Sequence, residues 1–132
     1  MSLAKGFTSP NIPIVTFYQG DKEINFIFDT GSDDNVITKE ALKELEHEMI
    51  DSYEGVLAGV GGVHEVDACT ITIEHEGETF TPKFLVSDSL KEAFDTIRRC
   101  HAIQLHGMLG SKFLRENNIV LDFKNLAAYS KK

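Results

Sequence analysis

The fold of this chain is decided by the stretch Phe26-Ile27-Phe28-Asp29-Thr30-Gly31-Ser32-Asp33-Asp34-Asn35-Val36-Ile37. An apolar run brings an aspartate, Asp29, into a Thr-Gly-Ser turn, after which the apolar residues resume. A carboxylate that directly follows three large apolar residues is costly to bury unless its oxygens accept hydrogen bonds. Thr30 and Ser32 carry hydroxyl groups, and Gly31 lets the backbone approach closely because it has no Cβ. Taken alone, the stretch is equally typical of an ordinary strand that ends in a polar turn.

Length and composition favour one globular domain over residues 1–132, large enough to bury roughly two-thirds of its unfolded surface. Met1-Ser2-Leu3 is typical of a cloning remnant and is left out of the fold prediction. The formal net charge of −8 disfavours nucleic acid and anionic membranes as partners, and it favours neutral or basic ligands. No apolar run approaches the ~18 residues of a membrane span.

The two cysteines, Cys69 and Cys100, form neither a CxxC pair nor a disulfide framework. They are therefore predicted to be reduced, buried thiols of a cytoplasmic protein. Cys100 is adjacent to His101 rather than at ligand spacing, and no two histidines stand four residues apart. A zinc site is therefore disfavoured, and no cofactor is expected.

A β-hairpin is predicted before the aspartate, with strands over Ile12–Tyr18 and Glu23–Phe28 and a turn at Gln19-Gly20-Asp21. A short strand, Asn35–Thr38, follows the aspartate turn. Thr38 can then cap a helix predicted over residues 39–49, whose apolar face would consist of Leu42, Leu45 and Met49.

A glycine-rich hairpin is predicted within residues 54–66, because Gly55, Gly59, Gly61 and Gly62 are too dense for a packed strand. Two strand-like arms flank a mobile tip at Val60. A plain surface hairpin is the alternative, whereas a phosphate-binding loop is disfavoured because no Gly-Lys-Ser/Thr follows.

The remainder of the chain alternates short strands with one further helix. A capping box at Ser89-Leu90-Lys91-Glu92 would open this helix, which is expected to end near Cys100. Met108-Leu109-Gly110 precedes a segment that could form a short helix in addition. The predicted strands here cover residues 67–74, 79–86, 119–123 and 126–129. Cys69, Ile71 and Ile73 are expected to point inward, Glu76-Gly77 to form the next turn, and Pro82 to mark an edge or a bulge. Strands at this spacing predict a mainly β fold, a small closed β-barrel with two short α-helices.

Three motifs in one order resemble the retropepsin family, the single-lobe aspartic proteases of retroviruses and their cellular relatives. These motifs are Asp29-Thr30-Gly31-Ser32-Asp33-Asp34, the hairpin tip Gly59-Val60-Gly61-Gly62, and Met108-Leu109-Gly110. They match the family's active-site motif, its flap tip and the element that packs beneath the catalytic loop. The resemblance extends from about Ile14 to Tyr129, which is most of the chain.

The resemblance implies a role for each matched residue. Asp29 would be the catalytic carboxylate, Thr30 would brace the site against the partner subunit's copy, and Gly31 would offer its carbonyl to substrate. The substrate-binding residues would be Ser32, Asp33 and Asp34 beside the aspartate, and Gly59, Val60 and Gly61 at the flap. Ser32, where viral members commonly have Ala, is expected to donate a hydrogen bond to Asp29.

One position departs from the viral pattern. Many viral members carry Arg at the position of Ser111, where it pairs with the aspartate that corresponds to Asp33. Lys112 and Arg115 are the candidate replacements for that arginine. Ser32 and Ser111 themselves lack the sequence context of a serine nucleophile.

The chain has only one Asp-Thr-Gly, and this count bears on the mechanism. Hydrolysis by carboxylates needs one group that takes a proton from water and one that gives a proton to the substrate. Asp33 and Asp34 lie too near Asp29 in sequence to form a symmetric pair with it. The second Asp29 must therefore come from another copy across a two-fold axis, which predicts a homodimeric aspartic endopeptidase acting on a peptide or protein substrate. The alternative is a non-catalytic retropepsin-like domain that binds peptides or acts as a scaffold, because fold alone does not decide function.

Overall fold

The computed structural model describes residues 2–4, 13–50, 55–59, 62–122, 124 and 127–130. No helix in these ranges is long and apolar enough to cross a membrane. The helices are α1 (Lys39–Lys43), α2 (Lys91–His101) and α3 (Ser111–Glu116). The strands are β1 (Ser2–Ala4), β2 (Ile14–Gln19), β3 (Lys22–Asp29), β4 (Asn35–Ile37), β5 (Glu48–Met49), β6 (Gly55–Gly59), β7 (Gly62–Thr70), β8 (Ile73–His75), β9 (Glu78–Phe80), β10 (Lys83–Val86), β11 (Gly107–Gly110), β12 (Ile119–Asp122) and β13 (Ala127–Ser130).

Most of these strands form one ten-stranded sheet in the order β5-β7-β10-β4-β11-β3-β2-β8-β9, with β6 paired to β7. A separate three-stranded sheet has the order β1-β13-β12. The architecture confirms the prediction of a mainly β fold. The described residues contain three helices rather than the two predicted, because the short segment after Gly110 is helical as well.

Strand β11 lies between the two strands that flank Asp29. It runs parallel to β3, with Gly110 opposite Asp29, and antiparallel to β4, with Gly107 opposite Ile37. Strands β3 and β4 are therefore held by β11 and not by each other. The connection between them, residues 29–34, is called the Asp29 loop below, and it crosses over the end of β11.

The two faces of β3 have different surroundings. Ile24, Phe26 and Phe28 belong to the main hydrophobic core, whereas Asp29 lies on the other face, because successive side chains of a strand point to opposite sides. Phe26 is fully buried and stacks on Phe84 with ring centroids 5.4 Å apart. Burial of a side chain of this size contributes about 1.5–3 kcal/mol, so the strand that leads to Asp29 is firmly anchored.

Helix α2 covers part of the face on which Asp29 lies. Phe94 of α2 packs with Ile14 and Leu105, and Ile27 packs against this second cluster. Leu90 and Ile97 pack against the same cluster. Because Ile27 precedes Asp29 by two residues and shares its face, α2 borders the surface onto which Asp29 opens.

Several local predictions are confirmed. Strands β2 and β3 pair as a hairpin whose turn contains Gly20 at a φ of +61°. Glu76 and Gly77, both at positive φ, form the turn between β8 and β9. Cys69, Ile71 and Ile73 are buried as predicted, whereas the single strand predicted over residues 79–86 is divided at Pro82 into β9 and β10.

The helix predicted over residues 39–49 is shorter in the structure. Thr38 caps it as predicted, because its Oγ1 accepts the N–H of Ala41 at 3.2 Å. The helix ends at Lys43, however, and the N–H groups of Glu44 and Leu45 bond to carbonyls three residues back, which tightens the last turn.

Contacts with distant strands end this helix. The Gln19 side chain accepts the N–H of Glu46 at 2.8 Å and donates to its carbonyl at 2.9 Å. Met49, predicted on the buried helix face, instead pairs with Cys69 of β7 and has a 46% exposed side chain. After Lys43, hydrogen bonds to the sheet therefore replace those of a helix. The periodicity of apolar residues in the sequence does not reveal this replacement.

Two further predictions are wrong. The capping box at Ser89 does not form: α2 begins at Lys91 without a side-chain cap, and the N–H of Ser89 bonds to Ser87 Oγ. Both cysteines are free thiols, but Cys100 is exposed rather than buried.

Candidate active site

Asp29 lies at the end of β3 with its side chain open to solvent. The N–H of Gly31 donates to Asp29 Oδ1 at 2.8 Å, and the N–H of Ser32 donates to the Asp29 carbonyl at 3.4 Å. A Cβ on Gly31 would lie 3.2 Å from the same carboxylate oxygen, so a side chain at this position would press on it. The turn therefore holds one carboxylate oxygen and leaves the group accessible, which is what proton transfer with water requires.

The Asp29 loop is fastened from below by the start of α3. The N–H of Ser111 donates to the Ser32 carbonyl at 2.7 Å, and the N–H of Lys112 donates to the Asp33 carbonyl at 3.3 Å. The Ser111 hydroxyl also donates to Asp33 Oδ1 at 3.1 Å. Ser111 thus contacts the aspartate that an arginine holds in the viral pattern. Neither Lys112 nor Arg115 forms an ion pair with Asp33 in the described part of the chain.

Gly110 allows this close approach. A Cβ at Gly110 would lie 2.6 Å from the carbonyl oxygens of both Ser32 and Asp34. Gly107, at the other end of β11, is equally confined, because a Cβ there would collide with the Val36 carbonyl oxygen. The structure therefore places Met108-Leu109-Gly110 directly beneath the Asp29 loop, and backbone contact is the reason that glycine is needed there.

Asn35 is a site residue to which sequence reasoning assigned no role. Its Oδ1 accepts the N–H of Gly110 at 2.9 Å, and its Nδ2 donates to the Lys83 carbonyl at 2.8 Å. With 9% of its surface exposed, the side chain joins β4, β10 and β11 below the loop. The sequence does place the polar amide of Asn35 at the start of an apolar strand. Because a buried amide needs hydrogen-bond partners, this pattern could have indicated a structural role for Asn35.

Ser32 and Thr30 differ in how the loop holds them. The expected hydrogen bond from Ser32 to Asp29 is absent: Ser32 Oγ donates to the Asp34 carbonyl at 3.2 Å and so closes the loop on itself. The Thr30 side chain is exposed at the surface of the loop and has no hydrogen-bond partner among the described residues. Its hydroxyl is therefore available to a group outside this chain.

The loop places Asp33 and Asp34 in the wall of a cleft. This cleft has a volume of about 670 Å³ and a mixed wall, with Phe80, Leu85 and Phe113 among its apolar members. Its remaining lining residues come from the loop, from β4, β7, β9, β10 and α3, and from the residues that directly follow β9 and α3. Asp29 does not line it, so Asp33 and Asp34 separate the aspartate from this cleft.

The glycine-rich hairpin is present as an antiparallel pair. Strands β6 and β7 pair from Gly55 opposite Val66 to Gly59 opposite Gly62. Val60 and Gly61, the predicted tip, lie outside the described residues. The structure thus shows the two arms of the hairpin.

Comparisons with known proteins agree with this arrangement. A family model described as aspartyl protease matches residues 15–113. Among solved structures, the chain is similar to EIAV protease complexed with the inhibitor HBY-793, with a TM-score of 0.57 and 24% sequence identity. That match covers 83% of this chain and 91% of the EIAV protease chain, and it concerns the fold. Comparison with curated proteins finds no match.

Proposed function

Because this chain belongs to the aspartyl protease family, we propose that it is an aspartic endopeptidase that acts as a homodimer. In this proposal two Asp29 carboxylates, one from each copy, activate a water molecule that attacks the peptide carbonyl. The observation that carries it is the exposed Asp29 carboxylate, held at one oxygen by the Gly31 N–H at 2.8 Å. No cofactor takes part in this mechanism.

The mechanism requires the two carboxylates to differ in protonation. As is established for aspartic protease pairs, two carboxylates in one site share a proton because they cannot both ionise easily. The ionised Asp29 accepts a proton from water as the water attacks, and the protonated Asp29 of the other copy donates to the substrate carbonyl oxygen. The rate should therefore follow a bell-shaped pH profile on the acidic side of neutrality.

A second copy is supported by how Asp29 and Thr30 are exposed. Both lie on the surface of the loop, and the Thr30 hydroxyl has no partner in the described part of the chain. A two-fold axis beside the loop would bring the two carboxylates together, and it would let the two Thr30 hydroxyls bond across the axis. Such an isologous contact is the commonest closed symmetry.

The peptide substrate would lie along the Asp29 loop. Gly31, Asp33 and Asp34 would contact it from one side, and the β6–β7 hairpin, with Gly59, Val60 and Gly61, would close over it as a flap. Helix α2 would border the groove, because its cluster covers Ile27 on the same face as Asp29. We also assign the protein to the cytoplasm, where the free thiols of Cys69 and Cys100 would stay reduced.

Two measurements test this function. A mixed peptide library should be cleaved by the wild type and not by Asp29→Asn, which is nearly isosteric but cannot cycle between acid and base. Activity per molecule should also rise with protein concentration in the range where sedimentation shows dimers to be scarce. Residual activity of Asp29→Asn within about tenfold of wild type, a barrier change of only ~1.4 kcal/mol, would remove Asp29 from the mechanism. If the wild type binds peptides without cleaving them, the result favours the alternative of a non-catalytic peptide-binding domain.

A further inference from the structure

His106 joins the strand that carries Asp29 to the strand that supports the Asp29 loop. It directly precedes β11, and it bonds twice to Asn25 of β3. The backbone N–H of His106 donates to the Asn25 carbonyl at 2.9 Å, and the backbone N–H of Asn25 donates to His106 Nδ1 at 3.0 Å. Thr38 adds a third link, because its N–H donates to the His106 carbonyl at 3.2 Å.

The bond to Nδ1 specifies the protonation state of the ring. A nitrogen that accepts a hydrogen bond carries no proton, so the neutral ring must have its proton on Nε2. In the imidazolium form both nitrogens carry protons, and the Nδ1–H would face the N–H of Asn25. Protonation of His106 therefore breaks this bond and places a positive charge in a half-buried site.

The charged groups around His106 are mixed in sign. A small cavity of about 40 Å³ beside the ring is lined by Glu40 and Glu44 of α1, by Asp88 after β10, and by Lys91, Asp95 and Arg98 of α2. Burial lowers the pKa of His106, and it outweighs Glu44 and a backbone contact with Asn25, which both act in the opposite direction. The cavity is far smaller than the ~300 Å³ of a ligand site. His106 is therefore surrounded by packed side chains and does not line a binding pocket.

The hydrogen bonds between His106 and Asn25 extend the pairing of β11 with β3, which leads to Asp29. The pairing of β11 with β3 runs from Gly107 opposite Phe26 to Gly110 opposite Asp29. His106 and Asn25 form the step before this ladder, and Asp29 stands at its other end. We propose that neutral His106 is a positioning residue for Asp29, and that its protonation in mild acid loosens the β3–β11 ladder. The effect on catalysis rests on the proposed function, whereas the protonation-dependent link does not.

The link can be tested without enzymatic activity by following the histidine ring nitrogens of the wild-type protein by NMR as pH is lowered. Neutral His106 should show its proton on Nε2, and it should titrate below the ordinary histidine pKa of about 6.5. The amide of Asn25 should shift with the same midpoint as the His106 ring. A proton on Nδ1 in the neutral form, or a His106 pKa at or above that ordinary value, would overturn the proposal.

Urea unfolding of His106→Asn supplies an independent test, because an asparagine Oδ1 can accept the Asn25 N–H but does not titrate. The unfolded chain binds the proton at a pKa near 6.5, above that of the folded chain. Wild-type stability should therefore fall as pH drops below about 6.5, with the unfolding constant rising by up to about tenfold per pH unit relative to His106→Asn. A constant difference between wild type and His106→Asn from pH 8 to pH 5 would contradict the link.

If the wild type hydrolyses peptides, His106→Asn should keep its kcat/KM within about twofold at pH 7 and extend activity further into acid. An unchanged acidic limb in a variant whose stability has lost its pH dependence would refute the positioning role. Absence of hydrolysis in every variant would refute the proposed function, while the ring titration and the unfolding data would still decide whether the link exists.

Discussion

Replacing Gly110 with alanine should distort the Asp29 loop. The added Cβ would lie 2.6 Å from the carbonyl oxygens of Ser32 and Asp34, whereas ordinary contact begins at 3.4 Å. Each carbonyl must therefore retreat by about 0.8 Å, or β11 must move away from the loop by a similar distance. The φ of Gly110 is −92°, which any residue adopts, so the whole effect is steric. Without the close contact, a Gly-to-Ala change at such a φ would stabilise the fold by about 0.4–1 kcal/mol.

The expected magnitude follows from this displacement. Overpacking of a closely packed site typically costs about 1–3 kcal/mol, and a misplacement near 1 Å can lower a catalytic rate by about 100-fold. Gly110→Ala should therefore lose about 1–3 kcal/mol in urea unfolding and at least about tenfold in peptide hydrolysis. The loss in rate should persist at low temperature without urea, where the variant is fully folded.

Gly77→Ala is the matched control. Gly77 has a φ of +83°, and no neighbouring atom lies within 4 Å of the position that a Cβ would occupy. Its cost is backbone strain of about 1 kcal/mol, at a turn between β8 and β9 outside the site. This variant should lose stability and keep its rate. A Gly110→Ala protein that is as stable and as active as wild type would refute the claim that backbone contact with β11 positions the loop.

Substitutions at three other positions test individual contacts in the site and in the core. Asn35→Ala should cost about 1–3 kcal/mol in chemical unfolding, because it leaves the buried N–H of Gly110 without an acceptor, whereas Asn35→Asp keeps an acceptor and should recover part of the loss. Ser32→Ala should leave the pH profile of hydrolysis unchanged, since its hydroxyl bonds to the Asp34 carbonyl; a moved acidic limb would show that it reaches Asp29 after all. Burial raises the pKa of Cys69 from 9.0 to about 11. The stabilisation contributed by the neutral thiol is therefore complete below pH 9 and is lost as pH rises through 11. Wild type should then lose on the order of 3 kcal/mol of stability relative to Cys69→Ala between these pH values, and parallel unfolding curves would contradict the buried neutral thiol.

Features that depend on neighbouring residues could be predicted from the sequence. The β2–β3 hairpin, the Thr38 cap and the Glu76-Gly77 turn each follow from residues within one short segment. The Asp29 turn belongs to the same class, because the Gly31 N–H that holds the carboxylate is only two residues away. Local sterics and hydrogen bonds act over such distances, so the residue pattern carries the information directly.

Errors in the prediction arise where a distant segment competes. The apolar spacing of Leu42, Leu45 and Met49 is helical, but the pairing of Met49 with Cys69 and the bonds from Gln19 to Glu46 end α1 early. A periodic pattern records which residues are apolar and not which partner buries them. The same limit explains Asn35, whose role appears only when β10 and β11 lie on either side of β4.

The sequence by itself determined that Asp29 ends an apolar strand in a tight turn, and that Met108-Leu109-Gly110 is a compact apolar element ending in glycine. Only the tertiary structure decided that β11 lies between β3 and β4, that Gly110 supports the carbonyls of Ser32 and Asp34, and that Ser111 bonds to Asp33. The physical reason is the distance along the chain. These contacts join segments nearly eighty residues apart, and their energy depends on packing distances of a few tenths of an ångström, which no local pattern of residue types encodes.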